Sequence, residues 1–217
     1  MKKPIYIFSN GELKRKGNTL YFEKNEKKSF IPVESISDIY IFGEITLNKR
    51  FLEFLTKTHI IMHFFNRYGY YIGSFYPRVH LNSGFVILKQ AELYNNLEKR
   101  LSLAKKIVYG AVENIKKVLI YYNNRDKNLD DFIIEIDKLE KIIENQKDIE
   151  SLMAIEGNIR EKYYNAFNEI ILNDEFRFEK RSKQPPKNRL NALISFGNSL
   201  LYTTCLSEIY KTHLDPR

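Results

Sequence analysis

Glu156 is the residue of this chain best placed to do chemistry. Leu152, Glu156, Ile159, Tyr163 and Phe167 recur at helical spacing. At about 100° per residue they share a sector roughly 80° wide, the face expected to be buried. A carboxylate buried without a partner costs several kcal/mol, comparable to the whole stability of a domain. A cation, a hydrogen-bond network, a metal ion or a water-filled cleft must therefore compensate it. Pairing with Arg160 or a nearby lysine would make Glu156 structural, whereas a divalent ion would make it a ligand. Gly157 follows at once. Glycine inside a helix costs up to about 1 kcal/mol and commonly marks the close approach of another group.

The second candidate is residues 177–189. Arg177, Lys180, Arg181, Lys183, Lys187 and Arg189 stand there against a single acid, Glu179. Converging guanidinium and ammonium groups are what a phosphate backbone requires, although a solvated loop has the same composition. The segment follows the Glu156 helix directly, so it is expected to hang over the same cleft. Tyr163, Tyr164, Phe176 and Phe178 are expected in the core rather than on a base-stacking surface.

The histidines offer less. His59 and His63 are four apart, but they flank Ile60-Ile61-Met62 in a strand-like run, where that spacing does not place two ligands on one helix face. His80 lies near a domain boundary and His213 near the end of the sequence. No Cys/His set has zinc spacing, and neither a glycine-rich phosphate loop nor a serine elbow occurs.

The elements that position these residues divide in two. Over 1–80, turn signals at Asn10-Gly11, Gly17-Asn18 and 24–27 separate short apolar runs at Ile5–Phe8, Thr19–Phe22, Phe30–Val33, 38–42, 60–65 and 70–76. These predict a small β-sheet or sandwich, with a short helix capped by Asn48 and carrying Phe51, Leu52 and Leu55. From about Lys89 the period changes to three or four. Leu93 through Leu119 predicts one long helix, and further helices follow around 132–143, from Asp148, and over 188–211. Along the last one, Leu190, Ile194, Gly197, Leu201 and Cys205 share a side. Pro185-Pro186 interrupts the chain before it. The fold class is α+β: a β-rich domain over 1–80, then an all-α domain over 89–217.

Composition fits that picture. The 217 residues are 43% hydrophobic, enough to bury a core. The lone Cys205 forms no intrachain disulfide and suits a reducing compartment. No run approaches the roughly 20 apolar residues that span a bilayer. A soluble, cytoplasmic protein with no membrane partner is expected. The net charge is +8. Residues 1–85 carry 13 basic and 7 acidic residues, leaving 22 and 20 for the remainder of the 35 and 27. A polyanion partner suits such a balance.

Leu152-Met153-Ala154-Ile155-Glu156-Gly157-Asn158, with Arg160 and Tyr163-Tyr164, resembles the signature helix of the CRISPR adaptation integrase/endonuclease family, the first of the two near-universal CRISPR adaptation proteins. Phe176-Arg177 to Arg181, Pro185-Pro186 and the stretch from Asn191 to Tyr202 match its next motif in order and spacing. Leu214-Asp215-Pro216 is similar to the segment just before the family's metal-binding histidine. Phe64-Phe65-Asn66, Tyr68 to Gly73 and Tyr76-Pro77-Arg78 resemble the type I-B variant.

The resemblance implies a metal-dependent DNA endonuclease and integrase that inserts foreign spacers into the CRISPR array by phosphodiester cleavage and transesterification. It implies a homodimer formed largely through the β-domains, action on double-stranded DNA, and the second universal adaptation protein as partner. Glu156 matches the first ligand of a Mg²⁺ or Mn²⁺ ion and is the expected catalytic residue. Arg177, Arg181, Lys183, Lys187 and Arg189 are the expected DNA contacts. The family's other two ligands, a histidine and a carboxylate, follow the position of Leu214-Asp215-Pro216 and are expected beyond Arg217. His213 precedes that motif and is not the family histidine. The 217-residue chain alone is therefore expected not to cleave DNA. The alternative is a catalytically incomplete DNA-binding or scaffolding fragment, and a third reading is a basic structural protein.

Overall fold

The computed structural model describes residues 2–78, 81 and 83–216. His80 lies outside them. The chain forms two compact units, Met1–Gly84 with Ser195–Arg217, and Phe85–Ile194. Placing all of 89–217 in one helical domain differs from this division, because the last helix continues into the first unit.

The first unit holds two four-stranded sheets. One is ordered β1 (Lys3–Ile7), β5 (Ile36–Ile41), β7 (Ile61–Phe65), β8 (Tyr71–Phe75), and the other β4 (Lys27–Pro32), β3 (Thr19–Lys24), β2 (Gly11–Lys16), β6 (Ile45–Leu47). In the first sheet β1, β5 and β7 run parallel and β8 antiparallel. Alternation along β5 sends Ile39 and Ile41 into a core with Leu13, Leu20, Phe51, Leu55 and Met62. Emptying the Phe51 site by substitution with alanine would cost about 3–5 kcal/mol. Tyr40 lies on the opposite face of β5, in a row Tyr6-Tyr40-His63-Ser74 that crosses all four strands.

Helix α1 (Lys49–Thr58) starts where the sequence places it, with Asn48 Oδ1 accepting from the Phe51 N–H at 3.0 Å. His59 ends it in the left-handed region at φ 56°, whereas His63 sits on β7. Of the two strands without a sequence signal, β6 is only three residues long and β2 is short on apolar residues. β2 carries one buried side chain, Leu13, and is held by its two neighbours.

The second unit is helical. The single helix expected over 89–119 is two, α2 (Gly84–Asn95) and α3 (Leu97–Asn123). Asn96 divides them because its side chain caps α3, accepting from Lys99 N–H at 2.9 Å. Helices α3, α4 (Asp130–Lys141) and α5 (Ile149–Ile170) pack around Val112, Leu119, Ile136, Leu152, Ile159 and Ala166. Helix α6 (Arg189–Tyr210) begins in this unit. Among the described residues no helix is long and apolar enough to cross a membrane.

In the first unit, the part of α6 from Ser195 onward lies on the Tyr40–His63 face of the first sheet. Phe196 meets Phe42, Tyr202 meets Tyr71, and Thr203, Leu206, Ser207 and Tyr210 are buried. The side shared by Leu190, Ile194, Gly197, Leu201 and Cys205 is not the one that turns toward the sheet. Gly197, Leu201 and Cys205 are exposed, and a largely polar stripe turns toward the sheet.

Candidate active-site helix and basic segment

Asp148 caps α5, its Oδ1 accepting from Ser151 N–H at 2.7 Å. The buried stripe of the helix is Leu152, Ile159 and Ala166, flanked by the partly buried Ile155, Tyr163 and Ile170. Glu156 lies roughly 60° to one side of its centre at 100° per residue. The expectation of a carboxylate in mid-stripe is thus corrected to one at its margin, with 14% of the side chain exposed. Arg160, itself 51% exposed, pairs its Nε with Glu156 Oε1 one turn on. A β-carbon at Gly157 would meet no heavy atom within 4 Å, so nothing in the described residues approaches it closely. Burial pushes the neighbouring Tyr163 phenol up from its ordinary value, which keeps it protonated.

The basic segment is built, not loose. Asn168, near the end of α5, clamps Phe178. Its Nδ2 donates to Phe178 O at 2.9 Å and its Oδ1 accepts from Phe178 N–H at 2.7 Å, while the Tyr164 and Phe178 rings lie 5.5 Å apart. Asn191, wholly buried in the first turn of α6, organises the rest. Its Oδ1 accepts from Ser182 N–H (3.0 Å) and Arg181 Nη1 (2.9 Å), and its Nδ2 donates to Lys180 O at 2.8 Å. Lys187 N–H donates to Ser182 Oγ at 2.8 Å, which closes the loop.

The five expected DNA contacts therefore separate. Arg181 is tied into the loop, Lys183 is engaged, and Arg189 pairs with Glu175. Arg177 and Lys187 are exposed and form no ion pair among the described residues. Tyr164 and Asn168 are 8 and 12 residues beyond Glu156. At 1.5 Å per residue, the loop is fastened about 12–18 Å along the helix from the carboxylate. Asn168 and Asn191 escape a sequence reading. Asn168 is exposed on the side of α5 opposite its buried stripe and carries no signal, and Asn191 is marked only as the first residue of the 191–202 motif.

A divalent ion asks for several oxygen or nitrogen donors. Among the described residues no group of three or more His, Cys, Asp or Glu side chains could hold one. Glu156 is one donor and already faces a guanidinium. His63 is buried between Ser74 Oγ (2.6 Å) and Ser207 Oγ (2.8 Å), and His213 Nδ1 bonds Leu81 O at 2.9 Å. The described residues do not by themselves fit a metal ion.

A family model described as CRISPR associated protein Cas1 matches residues 5–217. The chain belongs to the Cas1 family. Among its relatives is the CRISPR-associated endonuclease Cas1 2 of Thermodesulfovibrio yellowstonii, 64% identical over all of this chain and 66% of the relative. The Cas1 chain thus spans just under two thirds of that relative's length. A solved CAS1 protein from Thermotoga maritima superposes with a TM-score of 0.88 at 51% identity, covering 100% of this chain and 68% of that one. A casposase solved bound to its integration product shares the fold, with a TM-score of 0.80 at 21% identity over 97% of this chain and 62% of that one.

Proposed function

We propose that the chain is the part of a metal-dependent DNA endonuclease and integrase of CRISPR adaptation that carries its first acidic ligand, Glu156. The observation carrying this reading is the position of Glu156 on α5 in a chain 64% identical to a relative named as a Cas1 endonuclease. In this reading Mg²⁺ or Mn²⁺ is held by Glu156 together with residues beyond Arg217, and the chemistry is phosphodiester cleavage and transesterification on double-stranded DNA. The β-rich unit supports homodimerisation, and the second universal adaptation protein is the partner. Arg177 and Lys187 supply free charge to the DNA backbone. Arg181, Lys183 and Arg189 belong to the same basic surface and already have intramolecular partners. The distance of 12–18 Å from Glu156 to the loop's fastening equals about four or five base steps at 3.4 Å each.

The experiment compares the full-length protein with the 217-residue chain. Divalent-dependent cleavage is expected of the first and its loss in Glu156→Gln, while the short chain binds DNA without cutting it. Full-length Glu156→Gln with undiminished cleavage overturns the assignment of Glu156. Robust Mn²⁺-dependent nicking by the short chain overturns the ligand argument. A second reading is a DNA-binding or scaffolding fragment, which needs no metal-holding group. A stop codon directly after Arg217 selects it.

A further inference from the structure

Another concentration of positive charge lies in the first unit, at the open end of the second sheet. β6 ends at Leu47, paired with Leu13, so β2 runs on through Lys14, Arg15 and Lys16 without a neighbour on that side. The chain leaving β6 turns at Asn48 straight into α1. The parallel register therefore sets the first turn of α1 beside the tail of β2. A cavity of about 500 Å³ opens there, lined among others by Lys14, Arg15, Asn48 and Arg50.

Two of the local cations are already neutralised. Lys14 contacts Glu12 at 2.6 Å and Glu23 at 3.1 Å, and Lys49 pairs with Glu53, a lining residue, at 3.3 Å. Arg15 is different. Its guanidinium carbon stands 4.2 Å over the ring of Phe54, which is only 4% exposed, and its Nε donates to Gly17 O at 2.6 Å. The ring contact and the Nε bond restrain the guanidinium, which forms no ion pair among the described residues. Arg50 is exposed and forms no ion pair among the described residues. A guanidinium ordered in advance loses little entropy on binding, and its fork matches two oxygens of a phosphate. Tyr21 lines the cavity too, with Lys28 Nζ 5.6 Å from its ring centre. Two guanidinium groups that form no ion pair among the described residues suit a backbone phosphate.

We infer that Arg15 and Arg50 grip a phosphodiester of a nucleic-acid strand, a backbone contact separate from residues 177–189. This rests on the reading that the protein acts on DNA. The test measures binding of a labelled duplex to the full-length protein by fluorescence anisotropy across a salt series. Removing one cation from the phosphate backbone lowers the slope of log K against log salt by about 0.9. Arg15→Ala/Arg50→Ala is expected to lower it by about 1.8, equally for unrelated duplexes. Arg50→Ala alone, which leaves the Arg15–Phe54 stacking intact, is expected to lower it by about 0.9. It decides the matter if the double variant fails to fold. Wild-type slopes in both folded variants, with a lowered slope in Arg177→Ala/Lys187→Ala, overturn this site and leave the DNA reading standing. A wild-type protein that binds no duplex overturns both. A thermal shift by inorganic phosphate that disappears in the double variant while its DNA slope stays wild-type overturns the phosphodiester assignment in favour of a free anion.

Discussion

Arg160 reaches back one helical turn to Glu156, and its Nε meets the carboxylate at the margin of the buried stripe of α5. Such an i, i+4 pair, half open to solvent, is worth a few tenths of a kcal/mol. Glu156→Gln is therefore expected to change the stability of the 217-residue chain by less than about 1 kcal/mol in urea unfolding. A loss several times larger would make the carboxylate a structural member of the helix. A small one, combined with abolished cleavage in the full-length protein, places its value in chemistry.

Gly157 leads to a second expectation. Glycine in a helix interior is about 0.8–1.0 kcal/mol less favourable than alanine, and here a methyl group would enter open space. Gly157→Ala should stabilise the 217-residue chain by up to about 1 kcal/mol, read as a raised urea midpoint. If the same substitution lowers activity in the full-length protein, the glycine is kept for the approach of substrate or of further chain. A destabilised short chain would contradict the open space around it.

Both positions sit on a helix whose outline is legible in the sequence. The type and position of α5, its Asp148 cap and the Asn48 cap of α1 can be read there because a cap and a 3.6-residue period are local properties. Strand β2 cannot, because Gly11–Lys16 has one buried side chain and owes its shape to pairing with β3 and β6. The break at Asn96 is hidden by apolar residues that keep the helical period across it. Arg160 is a foreseeable partner of Glu156, but the place of the carboxylate on the stripe depends on which flank of α5 meets α3 and α4. Asn191 opens a recognisable motif, yet its bonds are invisible in it. They depend on a loop that folds back 9 to 11 residues.

His63 sets the expected pH response of the first unit. Burial lowers its pKa from 6.5 to about 4, opposed by the charge of Asp38. The groups facing it are Tyr40 on β5, Ser74 and Tyr71 on β8, and Ser207 on α6. Because the folded pKa is depressed, the unfolded chain takes up the proton first. The contribution of His63 is complete above about pH 6.5 and is lost as pH falls toward about 4. Between about pH 7 and pH 5 the loss is on the order of 2 kcal/mol. Urea unfolding at both pH values should show this loss in the wild type and its absence in His63→Gln, which cannot titrate. Equal pH dependence in the two proteins would remove His63 as the cause.

Asn191 offers a test of the basic segment that removes no charge. Its amide satisfies Ser182 N–H, Lys180 C=O and Arg181 Nη1 from a wholly buried position. Asn191→Ala leaves these groups unpaired, at an expected cost of about 2–4 kcal/mol. The loop then loses the geometry that holds Arg181, so DNA affinity falls although every cation is still present. Asn191→Asp keeps the acceptor for Ser182 and Arg181 while losing the donor to Lys180, and is expected to fall between the two. A smaller salt slope in Asn191→Ala, partly restored in Asn191→Asp at a temperature where all three are folded, would show that DNA reads the shape of the loop. An Asn191→Ala protein with wild-type stability and slope would show that the segment acts as unordered charge.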